Sequence, residues 1–327
     1  MMIDDAVLER MLIDADPAPT PREAAPDARA LATRDRILRT DVAPKRRRRR
    51  TLGWATGLTA VAASTALAFA VLAPQGAAVA GMPSPLDFEG SSTVTQVVDD
   101  ADASLAAASG PAAPERAVRT AFWGFSVEVE AKVSKVVPQL STLTWEPDGS
   151  GRMTIIAGVP YDPEDAVASN VAEVTSSGEV VTDLVMAPGD FYTPWTEVPG
   201  ETRQDMIAIL RAFGMPENPT AYDVEMAFTS VLDQWTLTNA QHRELLSLFE
   251  EAQGGEALGM TKDRLGRDVN GIRVVSPDGA ASDLILVSRD TGRIVGVERT
   301  VLIADDVFAA GSIISYQMWD LDEEEIR

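Results

Sequence analysis

From Thr51 to Ala73 the chain runs for 23 residues without a charged side chain, with Leu52, Leu58, Val61, Leu67, Phe69, Val71 and Leu72 set among alanines. At about 1.5 Å per residue a helix of that length covers roughly 34 Å, enough to cross a hydrocarbon core of about 30 Å. Beyond it the pattern changes period. Phe125, Val127 and Val129 alternate with Ser126, Glu128 and Glu130, which predicts a strand with one wet face in a region that opens near Arg116. Further strands are expected at about 132–146, 152–159, 168–175 and 179–187. A helical middle follows. Val224, Ala227, Phe228, Val231, Leu232 and Trp235 repeat every 3.6 residues after Thr220, with Asp223 completing a cap, and Thr238 with Gln241 opens another helix that closes at Gly254-Gly255. A weaker helix covers about 202–213. Strands return at about 256–265, 269–276, 282–289, 292–303 and 310–320, with Pro277-Asp278-Gly279 and Asp290-Thr291-Gly292 as tight turns between antiparallel neighbours.

Strands, then helices, then strands joined by hairpins predict an α+β fold. The expected form is a curved antiparallel sheet on two or three helices, preceded by one transmembrane helix and a short helical cytoplasmic segment. The expected organisation is a cytoplasmic piece with a basic stop at 1–50, the span at 51–73, a linker with a weak helix (about 92–108) at 74–115, and an extracytoplasmic domain at 116–327.

Charge supports this division. Residues 1–50 carry 12 basic and 9 acidic side chains, net +3, and six of the cations stand together from Lys45 to Arg50. Residues 74–327 carry 16 basic and 41 acidic side chains, net −25. The basic run beside an apolar stretch keeps the N-terminus cytoplasmic and sends the acidic part across the cell membrane. Ala78-Val79-Ala80 before Gly81 matches a small-residue cleavage site. A 50-residue start and a 23-residue core nevertheless fit an uncleaved anchor better than a signal peptide. A domain so acidic does not draw in nucleic acid.

Chemistry is sparse. The chain of 327 residues has no cysteine and one histidine, His242, so thiolate catalysis, disulfides and Cys/His zinc sites are excluded. His242 falls on the helix face opposite Leu245 and Leu248 and is expected at the surface. The acidic groups at 162–165 and 320–325 lack the alternating carboxylates of a calcium loop. There is no phosphate loop and no nucleophile elbow. A two-carboxylate hydrolase leaves no spacing signature and stays open, but the expectation is a non-enzyme with no cofactor and no metal. Phe122, Trp123, Phe125, Trp145, Tyr192 and Trp195 are the candidate lining of an apolar groove; the alternative is that most are core.

The stretch Asp263-Arg264-Leu265-Gly266-Arg267, followed by Asp283 to Val297 with Asp290-Thr291-Gly292-Arg293-Ile294-Val295-Gly296, sits behind the paired helices from Thr220. Together with the Arg-rich stop and single span it resembles an uncharacterised family of actinobacterial single-pass membrane proteins. Members of that family are often encoded near extracytoplasmic-function sigma factors. The element order is also similar to lipoprotein-carrier and sigma-regulator sensor domains, in which a curved sheet wraps around helices. The resemblance implies a membrane-anchored sensor or regulatory protein. Its ectodomain would bind a protein or an apolar ligand, and residues 1–44 would engage a cytoplasmic partner such as a sigma factor. The alternative is a lipid or lipoprotein carrier or chaperone at the outer face of the membrane.

Overall fold

A computed structural model describes residues 85–128, 133–159, 174–304 and 310–322. The chain divides into two units, Met1–Arg50 and Thr51–Arg327, and every described residue belongs to the second. The predicted cytoplasmic segment, the predicted span and residues 168–173 of the strand expected at about 168–175 therefore lie outside the described residues. Among the described residues no helix is long and apolar enough to cross a membrane.

Four helices are described: α1 (Val94–Ala107), α2 (Arg203–Ala212), α3 (Ala221–Leu232) and α4 (Asn239–Ala252). Each begins behind a threonine whose hydroxyl accepts from the third helical N–H, while the side chain there returns a bond to the threonine's own N–H. Such a box satisfies two orphan donors and is worth on the order of 1 kcal/mol. In α1 the return bond from Thr93 N–H to Gln96 Oε1 is 2.9 Å. That box, with Val97, Ala101 and Leu105 buried on one stripe, explains why a weakly apolar segment is a full helix. The sequence places it in a linker. The structure packs it into the main core, because α4 and the sheet supply the apolar surface α1 cannot bury alone.

Nine strands form one curved, open antiparallel sheet: β1 (Ala117–Glu128), β2 (Val133–Trp145), β3 (Gly151–Gly158), β4 (Ser176–Met186), β5 (Glu256–Lys262), β6 (Asp268–Val275), β7 (Ala281–Ser288), β8 (Ile294–Val301) and β9 (Ile313–Met318). The order β4-β3-β2-β1-β9-β8-β7-β6-β5 is two meanders joined where β9 lies against β1, through Ala121↔Met318 and Phe122↔Gln317. α1 precedes both meanders in sequence, α2, α3 and α4 come between them, and all four cover one face. There Leu143, Trp145, Ile272, Ile285 and Val297 meet Phe228, Leu245 and Phe249. A period of two sends the other residues to the opposite face, where Ala121, Leu140, Leu286, Val295 and Met318 form a second core under Leu86 and Phe88.

The stretch before α1 closes one sheet edge. Glu89 and Met260 exchange both backbone bonds, at 2.8 and 2.9 Å, and Phe88 occupies the place a Cβ on Gly271 would need. The chain then passes to the helical face, where α1 rests on the β7–β8 turn. Gly292 adopts φ +74°, and a Cβ there would strike the Ala101 carbonyl oxygen. We expect Gly292→Ala to cost about 1–3 kcal/mol through strain and displacement of α1. Urea unfolding measures the loss, and hydrogen exchange should show α1 deprotected ahead of the sheet. Unchanged α1 protection would mean that the turn yields instead.

Candidate functional site

The aromatic residues converge on Arg116. Glu115 and Thr236 bridge the chain leading into β1 to the loop after α3, with backbone bonds of 2.9 and 3.0 Å. This places the Arg116 guanidinium 5.3 Å from the Trp145 ring and 5.0 Å from the Trp235 ring. Trp235 meets Trp145 edge-on at 4.9 Å, and Phe191 lies 5.2 Å from Trp145 on another side. Trp145 Nε1 donates to the Gln234 carbonyl at 2.7 Å, and Arg116 Nη2 donates to the Thr196 carbonyl at 2.6 Å. Three buried donors have no partner: Arg116 Nε, Trp235 Nε1 and Trp195 Nε1; the Gln234 Oε1 acceptor is also unpartnered. A cation over two indoles is favourable, whereas unmatched buried donors cost free energy unless something supplies acceptors.

Of the predicted groove residues, Trp145 belongs to this cluster, is only 2% exposed and makes core contacts, while Trp195, next to Thr196 in the chain, packs half-buried against the main core. Phe122 is buried opposite Gln139 on β1, outside that cluster. Tyr192 stands 70% exposed. Trp123 and Phe125 lie on β1, and their side chains are outside the described residues. Arg116 was not among the candidates, although an arginine one residue before a strand rich in aromatics is the signal that identifies it.

His242 is a correction. It is 1% exposed rather than at the surface, because α1 packs on α4 and His242 itself sits against the start of β8. Its Nδ1 accepts from the Ile294 N–H at 3.2 Å, which leaves Nε2 without a partner. Burial, together with Arg293, holds its pKa well below the ordinary imidazole range, so it is neutral. Beside it Arg293 bonds Asn239 Oδ1 at 3.1 Å and lies 3.0 Å from Asp320.

Sequence reasoning also missed a buried ionic cluster between α3 and the β7–β8 hairpin. Asp283 and Arg299 are direct cross-strand partners, and Arg299 holds both carboxylate oxygens at 2.8 and 2.6 Å. Arg299 also reaches the Tyr222 hydroxyl at 3.1 Å. Glu225, 1% exposed, faces the same cluster and accepts from the Thr229 hydroxyl at 2.9 Å. Burial first, then the Asp283 carboxylate, pushes Glu225 well above the ordinary carboxylate range, so it is protonated. The signal was present: Ala221, Glu225, Phe228 and Leu232 fall on one helical stripe, and a glutamate interrupts it. On the other face Arg264 and Glu298 form a pair 2% and 0% exposed, and Asp263 binds Arg267, which donates to the carbonyls of Trp319 and Val295. The Asp263–Arg267 stretch thus locks the β5–β6 turn against the second core.

These carboxylates are held by cations and hydroxyls within the fold. Among the described residues no three His, Cys, Asp or Glu side chains are grouped to hold a metal ion. The acidic loop at 162–165 and residues 323–325 lie outside the described residues, and Asp320 is committed to Arg293. No known protein family matches the chain, and no curated protein matches it.

Proposed function

We propose that the protein is a single-pass membrane sensor or regulatory protein without enzymatic activity. Residues 1–50 lie in the cytoplasm, residues 51–73 span the cell membrane, and the α+β domain outside binds a protein ligand. The reading is supported most by the seat of α1, the first described helix after the apolar stretch. Asn239 Nδ2 donates to the carbonyls of Leu105 and Ala108, both at 3.0 Å, and Ser104 donates to the Arg289 carbonyl at 3.1 Å. Asp102 pairs with Arg243. The buried apolar residues of α1 are only Val97, Ala101 and Leu105. A helix held by a few polar bonds and a thin apolar stripe shifts with little free energy, as a transmitting element requires. Occupancy of the domain would change how α1 docks, and the span would carry that change to residues 1–44.

The test is a chain lacking residues 1–44, with the basic run, span and domain intact, expressed in place of the whole protein. Transcript profiling should show a defined set of promoters released or silenced. An unchanged profile would remove the regulatory half of the reading.

A second reading, a carrier or chaperone of lipid or lipoprotein, draws on the unpartnered donors Arg116 Nε and Trp235 Nε1 beside Trp145. A ligand with an apolar body and a carboxylate or carbonyl would satisfy them. Native mass spectrometry of the full chain released gently from membranes tests it: added mass of one lipid favours the carrier, and a bare mass favours the protein-binding domain.

A further inference from the structure

The two edges of the sheet are treated differently. The β5 edge is closed by the reciprocal Glu89–Met260 bonds. The β4 edge, 11 residues long, has no strand beyond it among the described residues. Natural sheets blunt an open edge with charges, prolines or bulges, since a row of unpaired N–H and C=O groups is a template for another strand. On β4 the blunting is confined to the first half, where the register with β3 is irregular between Ile155 and Gly158. From Thr182 to Met186 pairing with β3 is regular. The side chains there are apolar on both faces of the strand: Leu184 is 44% exposed on the helix side and Val185 is 74% exposed on the other. Val180 and Val181 add 55% and 48% exposure at the irregularity. The charge in the regular half, Asp183, is held in a two-point pair with Arg152 of β3, both bonds 2.8 Å.

We infer that β4 is the docking edge for an extended segment of a partner protein, one that adds a tenth strand and alternates β-branched apolar residues with lysine or arginine. This rests on the reading of the domain as a protein-binding one, and it names the site and the partner's chemistry. The occupant is extended because only a strand answers a row of backbone donors and acceptors; a lipid leaves them unpaired. It is apolar at alternate positions so that its apolar side chains share one face beside Val185, the more exposed of the two, while its cations lie on the Leu184 face. It is basic because residues 74–327 carry net −25 and Glu179 is exposed on the same strand. The same charge argues against a second copy of the chain, which would bring a further −25 to the edge.

The probe is a fluorescent eight-residue peptide of alternating valine and lysine, with capped ends, titrated against the full chain in nonionic detergent. Three controls accompany it: the same sequence with glutamate for lysine, and two versions N-methylated at alternate residues, one in each register. The expected result is saturable binding by the lysine peptide, with slowed hydrogen exchange in Glu179–Met186. Binding should be weaker by about tenfold or more for the glutamate peptide and for one N-methylated version. Val185→Lys should weaken it by a similar factor with the circular dichroism spectrum unchanged. Should that variant misfold, Val185→Thr serves, because threonine keeps strand propensity while removing the apolar surface.

No binding, equal binding by all four peptides, or protection elsewhere on the domain would overturn the inference. So would sedimentation showing that the chain itself pairs through β4, with Val185→Lys restoring the monomer. Failure here is separable from failure of the sensor reading. A silent β4 edge with promoters still responding to loss of residues 1–44 removes the docking edge alone. Peptide binding at β4 with unchanged promoters removes the regulatory role alone.

Discussion

Replacing Arg299 with methionine should destabilise the domain by about 3–5 kcal/mol, a large share of the roughly 5–15 kcal/mol that holds a typical domain together. Methionine keeps most of the packing volume, so the loss is electrostatic. Asp283 is fully buried, and both its oxygens lie on the Arg299 guanidinium. Without that cation a fully buried carboxylate is left beside the Glu225 carboxyl. Glu225→Gln, one residue away in the same cluster, should cost little, because Glu225 is already neutral and glutamine retains an acceptor for Thr229. The double variant Asp283→Asn with Arg299→Met should recover much of the single loss, since removing both charges leaves no buried ion. Urea denaturation of the parent, Arg299→Met, Asp283→Asn and the double variant closes the cycle, with Glu225→Gln measured beside them. A loss under about 1 kcal/mol for Arg299→Met would show that water reaches Asp283 and screens it.

The cluster also shows why some of this architecture was readable from the chain and some was not. The turns at Pro277-Asp278-Gly279 and Asp290-Thr291-Gly292 are local, and the strands around them follow in the expected places. The threonine caps of α3 and α4 are likewise local and stand as the sequence implies. The coarse fold class, helices against a curved antiparallel sheet, came from those local signals added along the chain. The closing of the sheet did not. β9 pairs with β1 across almost 200 residues, through two register pairs, and nothing in either strand's alternation says which distant strand lies beside it. α1 was undervalued for a related reason: its alanines count for little by hydropathy but allow the close approach to Gly292 that seats it. His242 was misplaced because one helix's own periodicity divides its faces into wet and dry. A third layer, here α1, covers the side that such division leaves wet.

The candidate site was legible only in part. Aromatic residues announce themselves as bulky, so Trp145 and Trp195 could be chosen, yet Tyr192 is just as bulky and stands in solvent. What distinguishes Trp145 is the cation at Arg116 and the bridge between Glu115 and Thr236, a non-local contact. The buried charges were harder still, because an aspartate in a strand that alternates reads as one of the wet positions. Only the hairpin register, which sets Asp283 opposite Arg299, turns it inward as half of a pair.

A large pH effect should come from Asp233, at the C-terminal cap of α3. Its Oδ1 accepts from Trp319 Nε1 at 3.1 Å and from the Gln317 amide, tying the helical layer to the end of β9. Burial pushes its pKa from 3.8 up to about 7, against the opposing pull of the Trp319 bond. An acid whose folded pKa is raised favours the folded state below its unfolded value, and that contribution drains away as pH climbs through the folded value. At about 1.4 kcal/mol per pH unit over the gap, less what the partial exposure of Asp233 screens, its contribution should fall by roughly 2–3 kcal/mol between pH 4 and pH 7. Glu225 acts in the same direction. His242 acts oppositely: it is held neutral, so the unfolded chain takes a proton first and stability is lost as pH falls below 6.5. The maximum therefore belongs in the mildly acidic range, with a steep decline towards pH 8. Asp233→Asn keeps the Oδ1 acceptor and cannot ionise, so it should match the parent near pH 4 and exceed it above pH 7. Urea unfolding of both proteins at half-unit steps from pH 4 to 8 measures the difference. Parallel curves over that range would place the titrating proton on another group and leave Asp233 ionised within the fold.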